Sequence, residues 1–266
     1  MCVAMLGPAG WAGLGLAGIV AGVAAGVVGL AAAGVVETLA AGVELTRVRL
    51  GVGRRVLLLA DLHVHGSPGW RAVWAARAAR PDLVVLAGDT WDERTRGFGP
   101  VWETLREVAR YMRAGVAVLG NHEVWAARRL PLGEGVRLLE DAGFSVLLDS
   151  DAEVLGLRVA GLAWREDPRG YRGPLERLAR GADLVVVHSP DAFSHLPRGA
   201  RVVVLAGHTH GGQWCLPVNR SVWTNSRYGY AWGLYRRGES VMYVSRGLGE
   251  RDPPRVFCHY QAVLIE

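Results

Sequence analysis

The sequence predicts an α/β protein, a sheet system covered by helices. Three observations point to it. Apolar runs of strand length alternate with helical patterns from about residue 55 onward. Strand signals then dominate the second half of the chain. Five short polar blocks each close an apolar run, which is where open α/β sheets gather ligands. At 266 residues the chain accommodates one catalytic domain with a generous core, plus an appendage.

The appendage comes first. No charged side chain occurs from Met1 to Val36, and Trp11 to Val36 is almost wholly Gly, Ala, Val, Leu and Ile. A membrane span needs about 20 apolar residues, and this stretch supplies them. The competing reading is a cleaved signal peptide, which would have a basic start and a shorter apolar core. Length and flanks favour an uncleaved single-pass anchor over residues 1–44, with a catalytic domain over 45–266. Arg47, Arg49, Arg54 and Arg55 follow the span and none precedes it. The positive-inside tendency therefore directs the domain to the cytoplasm.

Within the domain, Arg55 to Ala60 is a short β-rich run ending at Asp61. Gly69 to Arg80 has helical character and stops before Pro81. Leu83 to Ala87 is a buried strand ending at Gly88-Asp89. Val101, Leu105, Val108 and Met112 line one face of a helix over Val101 to Arg113. Val116 to Leu119 is a strand ending at Gly120, and Gly135 to Asp141 is helical, with Gly143 as terminator. Strands follow at Phe144–Leu148, Leu157–Ala163, Leu184–Val187, Val202–Ala206, Val241–Val244 and Val256–Ile265, with a short helix between Pro174 and Arg180.

The net charge is +5, and every basic residue is arginine. That balance favours anionic partners, a phosphorylated small molecule, a lipid-linked substrate or an anionic membrane face. Nucleic acid is disfavoured, because no stacking platform or groove-reading element is present. Cys2, Cys215 and Cys258 form no C-x-x-C pair and no even framework, so neither a zinc ribbon nor a disulfide-stapled fold is suggested. A single Cys215–Cys258 bridge stays open.

The chemistry lies in the five blocks: Asp61-Leu62-His63, Gly88-Asp89, Gly120-Asn121-His122-Glu123, His188, and Gly207-His208-Thr209-His210. Five of the eight histidines fall inside them. Asp61 and His63 stand two apart at a strand end, as do His208 and His210, so each pair can present to one side. Asp89 can bridge two cations, one oxygen to each. Asn121 offers a neutral oxygen, and His188, buried behind its valine run, is either a core group or a ligand. Singly, most of these residues also read as turn or core residues. Jointly they are the carboxylate, imidazole and amide set that holds two divalent cations.

Five blocks in this order resemble the calcineurin-like metallophosphoesterase family, with its D-x-H, G-D, G-N-H, H and G-H-x-H signatures. The resemblance covers about Leu45 to Glu266. Gly207 to Gln213 and Ser245 to Gly249 look like a bacterial membrane-anchored subgroup, which includes phosphodiesterases and UDP-2,3-diacylglucosamine hydrolases of lipid A synthesis. The resemblance implies an αββα sandwich of two mixed sheets flanked by helices. It implies that Asp61, His63 and His210 hold one metal, that Asn121, His188 and His208 hold the other, and that Asp89 bridges them. It implies that His122 is catalytic, donating a proton to the leaving oxygen or steadying the developing charge. Two cations about 3.5–4 Å apart would lower the pKa of a bridging water for attack on a phosphodiester or pyrophosphate. Donors of O and N without thiolate favour Mn, Fe or Zn. A non-catalytic scaffold would be expected to lack a ligand or His122, and here every position is filled.

Other residues carry less weight. His65 reads as a surface-loop histidine, and His195 and His259 as structural. Asp191 reads as a turn or cap residue, and Glu123 as a longer stand-in for Asp that leaves the metal set intact. Arg246 is either a phosphate ligand or a solvated strand-end arginine. Trp214, Trp223, Tyr228, Tyr230, Trp232 and Tyr235 suit an interfacial substrate and a packed loop equally.

Overall fold

The central strands are near-continuous Val, Leu and Ala, and both of their faces are buried. The computed structural model describes residues 8–217, 220–250 and 254–266. One six-stranded sheet runs β1 (Val43–Val48), β14 (Tyr260–Ile265), β2 (Val56–Leu59), β3 (Leu83–Ala87), β4 (Ala114–Val118), β5 (Phe144–Val146). The other runs β12 (Gly233–Arg237), β13 (Ser240–Val244), β9 (Val203–Ala206), β8 (Leu184–Val186), β7 (Leu157–Gly161), β6 (Ser150–Val154). Both are mixed: β14 is antiparallel to β2 in the first, and β12–β13 and β6–β7 are antiparallel in the second. A small antiparallel hairpin, β10 (Cys215–Leu216) and β11 (Arg220–Ser221), belongs to neither.

Alternation along each strand divides the core into layers. Val56 and Leu58 of β2, Leu83 and Val85 of β3, and Leu184 and Val186 of β8 point into one cluster between the sheets. Leu57, Leu59, Val84 and Leu86 point the other way, onto α2 (Trp70–Ala79), α3 (Gly99–Ala109) and α5 (Leu132–Asp141). Val185 and Val187 face α6 (Arg172–Leu178) and a 3-10 turn at Pro190–His195. The order helix, sheet, sheet, helix is the αββα sandwich expected from the resemblance.

Three strands that the apolar pattern passes over, β1, β6 and β12, are all sheet edges. They carry Glu44, Arg47, Asp151, Glu153, Arg236 and Arg237, as edge strands do when they guard unpaired backbone. The strand expected over Val256–Ile265 is shorter and begins at Tyr260. Val256 is diverted into a bridge with Trp214, and Phe257 takes a positive φ of 51° with its amide donating to Gly34 O.

The helix α1 (Pro8–Ala41) precedes β1. Its segment Ala17–Ala41 is long and apolar enough to cross a membrane, and it is almost wholly uncovered by protein. Ile19, Val23, Val27 and Val28 are each more than 60 % exposed, so this is not the core helix of a water-soluble domain. Its C-terminal end touches the sandwich: Phe257 N donates to Gly34 O at 3.2 Å, and His259 Nε2 lies 2.7 Å from Glu37 Oε1. The first seven residues of the chain, Cys2 among them, lie outside the described residues.

Candidate metal centre

The five blocks stand just past the C-terminal ends of β2, β3, β4, β8 and β9, on one edge of the sandwich. Their backbones are not extended. Ten non-glycine residues among those described have positive φ, and five are Asp61 (53°), His63 (45°), Asp89 (55°), His208 (74°) and His210 (51°). The side-by-side presentation expected from strand alternation therefore has a different cause. Left-handed backbone after each strand curls the chain so that side chains turn inward. Two motif glycines make room for this. A Cβ on Gly120 would lie 2.2 Å from Asp89 Oδ1, and one on Gly88, at φ 85°, would lie 2.6 Å from His188 Nδ1.

Two groups of potential donors share Asp89. Asp61, His63, Asp89 and His210 form one, and Asp89, His188 and His208 the other. In the first, His63 Nε2 and His210 Nε2 lie 3.2 Å apart, and His210 Nε2 is 3.6 Å from Asp61 Oδ1. In the second, His188 Nε2 is 3.0 Å from Asp89 Oδ2, 3.1 Å from His208 Nδ1 and 3.1 Å from Asn121 Oδ1. Asp61, His63, Asp89, Asn121, His188 and His210 are buried, and His208 is half-buried.

The donor chemistry fits cations. His188 Nδ1 donates to Ala87 O at 2.7 Å, so the lone pair of the neutral ring sits on Nε2. That lone pair faces a carboxylate oxygen and an amide oxygen, both acceptors, which a proton or a metal ion reconciles. Burial pulls the His188 imidazole down, but the Asp89 and Asp61 carboxylates pull it up further, to about 9. Burial raises Asp61 to about 6, with Asp89 adding to the effect and His188 opposing it. Burial opposes ionisation of Asp89 too, yet His188, His63 and His122 hold it well below the usual carboxylate range. Burial drops His208 to about 3, with His188 adding to the effect, and lowers His210, with His63 and Arg255 adding. His208 and His210 are thus neutral and Asp89 ionised, the forms in which such groups bind metal, whereas His188 would have to give up its proton to do so.

Several supporting residues carried no sequence signal that singled them out. Asp92 Oδ2 accepts from His63 Nδ1 at 2.9 Å and from His65 Nε2 at 2.8 Å, which leaves His63 Nε2 as the inward lone pair. Its place three residues after Asp89 was the available clue. His65, expected as a surface-loop residue, therefore belongs to this chain of bonds. Glu123 is wholly buried and accepts from the amides of Asp89 (2.9 Å), Thr90 and Gly120 (2.8 Å). Trp164 packs against His188 and His208, with ring centroids 5.6 and 5.0 Å away. The buried Arg255 donates to His210 O at 3.2 Å.

His122 stands apart from the donor groups. Its Nδ1 lies 2.8 Å from Glu93 Oε2, its Nε2 is 4.0 Å from Asp89 Oδ2, and its amide donates to Asp89 Oδ1 at 2.9 Å. It lines a cleft of about 240 Å³ together with Asp89, Asn121, Trp125, His208 and Trp223. Arg246 is neither a phosphate ligand nor solvated: it is buried, paired with Glu44 and laid over the Trp232 ring. Asp191 accepts from Ser226 Oγ and Arg227 N, tying two loops together. Cys215 and Cys258 are buried free thiols, so the open bridge is not formed. The aromatic stretch divides: Tyr228, Tyr230 and Tyr235 pack on one another, whereas Trp214 and Trp223 stay 40 % and 57 % exposed.

A family model described as calcineurin-like phosphoesterase matches residues 54–218. The chain belongs to the calcineurin-like phosphoesterase family. It is 29 % identical to an uncharacterized metallophosphoesterase of Bacillus subtilis, YkuE, over 67 % of this chain and 65 % of that one. The chain thus spans a little under two thirds of that relative's length. It is 28 % identical to the phosphodiesterase YaeI of Escherichia coli, over 80 % of this chain and 81 % of that one. A transmembrane protein with metallophosphoesterase domain from Danio rerio is 27 % identical over 74 % of this chain and 49 % of its own length.

Proposed function

We propose that the chain is a membrane-anchored phosphoric ester hydrolase that works through two divalent cations on a phosphodiester or pyrophosphate bond. One observation carries the reading: His188 Nε2 faces two oxygen acceptors, Asp89 Oδ2 and Asn121 Oδ1, where two groups of potential donors share Asp89. Asp61, His63 and His210 would hold one cation, Asn121, His188 and His208 the other, with Asp89 common to both. When bound, the cations would polarise a phosphoryl oxygen and lower the pKa of a water.

The chain's own residues would do the rest. His122 turns Nε2 toward the cleft because Glu93 engages Nδ1. Its role is to donate a proton to the leaving oxygen. Trp125 and Trp223 wall the cleft and hold the group beyond the phosphorus. The printed name of the Escherichia coli relative supports a phosphodiester. The bare apolar surface of α1 and the name of the Danio rerio relative support the anchor, and Arg47, Arg49, Arg54 and Arg55 support a cytoplasmic domain.

The test is turnover of bis(p-nitrophenyl) phosphate and of a UDP-diacylglucosamine side by side. Both are assayed after chelation and after reloading with Mn, Fe or Zn. Hydrolysis should vanish on chelation, return on reloading, and be lost in a folded Asp89→Ala variant. Full turnover by Asp89→Ala would overturn the assignment.

A further inference from the structure

The hairpin of β10 and β11 is packed on neither large sheet, and its outer surface is apolar. Trp214, Leu216, Val222 and Trp223 are between 40 and 59 % exposed, with the exposed Arg220 among them. Four large apolar side chains on so short a segment make an unfavourable surface in water. A tryptophan, an aliphatic pair and an arginine are the residues that settle at a membrane–water interface.

The position of the hairpin along α1 says what covers that surface. The hairpin is tied to the Val256 segment: Cys215 N donates to Val256 O at 2.9 Å, Val256 N to Gln213 O at 2.9 Å, and Trp214 bridges Val256. That segment sits on α1 at Gly34, where an added Cβ would come within 2.6 Å of Val256 Cγ1. Gly34 lies three residues before Glu37, the first charged residue of the chain. At 1.5 Å per residue, the contact is about 4.5 Å deeper along the helix than that charge. The apolar run that could fill a bilayer ends at Val36. The hairpin is thus fixed beside the helix at the level where hydrocarbon gives way to headgroups. Trp223, at its open base opposite Gly212, also lines the candidate metal cleft.

We propose that the β10–β11 hairpin lies in the headgroup layer of the bilayer that α1 enters, with Leu216, Val222 and the two indoles inserted and Arg220 among the phosphates. The partner is the lipid surface itself. Seated this way, the hairpin sets the mouth of the cleft against the membrane plane. The proposal rests on α1 being a membrane anchor, and the experiment separates the two.

The full chain, with Cys2→Ser to leave only the two buried native thiols, Cys215 and Cys258, is reconstituted in vesicles of phosphatidylcholine and phosphatidylglycerol. A nitroxide is attached at Val222→Cys, at Ile19→Cys in α1, or at Glu153→Cys on the exposed strand β6. Accessibility to oxygen and to a water-soluble nickel chelate is then read. Ile19 should behave as bilayer interior and Glu153 as bulk water. Val222 should fall between them, about 5–10 Å below the headgroup surface. Val222 reading as bulk water while Ile19 reads as interior would overturn the hairpin proposal and leave the anchor intact. Val222 shielded from both reagents would mean protein cover, such as a second copy, and would overturn it as well. Ile19 reading as bulk water would sink the anchor, and the hairpin proposal with it.

Discussion

His188 Nε2 stands 3.0 Å from Asp89 Oδ2, both side chains buried, and the ring's other nitrogen is already committed to Ala87 O. Two buried groups of opposite tendency are thereby locked face to face. The carboxylate keeps the imidazole protonated to about pH 9, and the imidazolium keeps the carboxylate ionised. A metal ion bound by His188 and Asp89 would take the place of the proton.

That exchange has a measurable sign. Between pH 7 and 8 the metal-free protein holds the His188 proton, so loading should release about one proton per protein. Titrations of Mn into metal-free protein, in buffers of different ionisation enthalpy, count it. Affinity should rise about tenfold per pH unit from 7 to 9 and level off above that. Stability of the metal-free protein runs the other way. The folded pKa of about 9 exceeds the ordinary 6.5, so the His188 contribution is full below 6.5 and fades as pH climbs through 9. Proton release near zero at pH 7.5 would refute the exchange.

Asp92 receives protons from both His63 and His65 on one oxygen. Burial works against its charge, but those two bonds outweigh it and hold the carboxyl well below the ordinary range. The consequence is a fixed tautomer of His63 with its lone pair inward. Asp92→Ala should weaken metal affinity about 10- to 100-fold with the fold retained. His65→Ala, which removes only the outer bond, should cost less. Equilibrium dialysis with metal analysis measures both, and equal losses in the two variants would contradict this order.

The layered core was legible because central strands buried on two faces need unbroken apolar runs, as in Leu57–Leu59 and Val185–Val187. The charged edges β1, β6 and β12 were not, since an edge strand needs only one covered face and gains by carrying charge. The polar blocks were visible because each places a carboxylate, amide or imidazole at a strand end, three of them beside a glycine. Their left-handed backbones were invisible, because positive φ at Asp or His is imposed by the packing around it. The outer partners Asp92, Glu93, Trp164 and Arg255 were missed for a related reason. A residue that acts through another's side chain carries no spacing rule of its own.

Glu123, by contrast, works through backbone. Its carboxylate, one methylene longer than an Asp in its place, accepts from three buried amides that belong to Asp89, Thr90 and Gly120. Burial and the neighbouring Asp89 push its carboxyl up to about 8, while those amides favour the charged form. Glu123→Ala should orphan all three donors at about 1–3 kcal/mol each, a loss large enough to unfold a marginal domain. Glu123→Gln turns one acceptor into a donor and should cost about 1–3 kcal/mol. Urea unfolding of the two variants should rank them in that order, and an Ala variant as stable as the parent would contradict the role.

His122 and Glu93 provide the sharpest separation of binding from catalysis. His122 lies in the cleft yet outside both donor groups, and Glu93 orients it through Nδ1. His122→Ala should therefore leave metal content unchanged while lowering kcat about 10²- to 10⁴-fold on a substrate whose leaving group needs a proton. The loss should shrink with p-nitrophenolate, which departs without one. Glu93→Gln keeps a hydrogen-bond acceptor beside the ring, so it should cost less than Glu93→Ala. Metal analysis next to kcat on alkyl and aryl esters distinguishes the outcomes. If His122→Ala lost its metal, or lost equal activity on both esters, His122 would be holding the centre together and not delivering a proton.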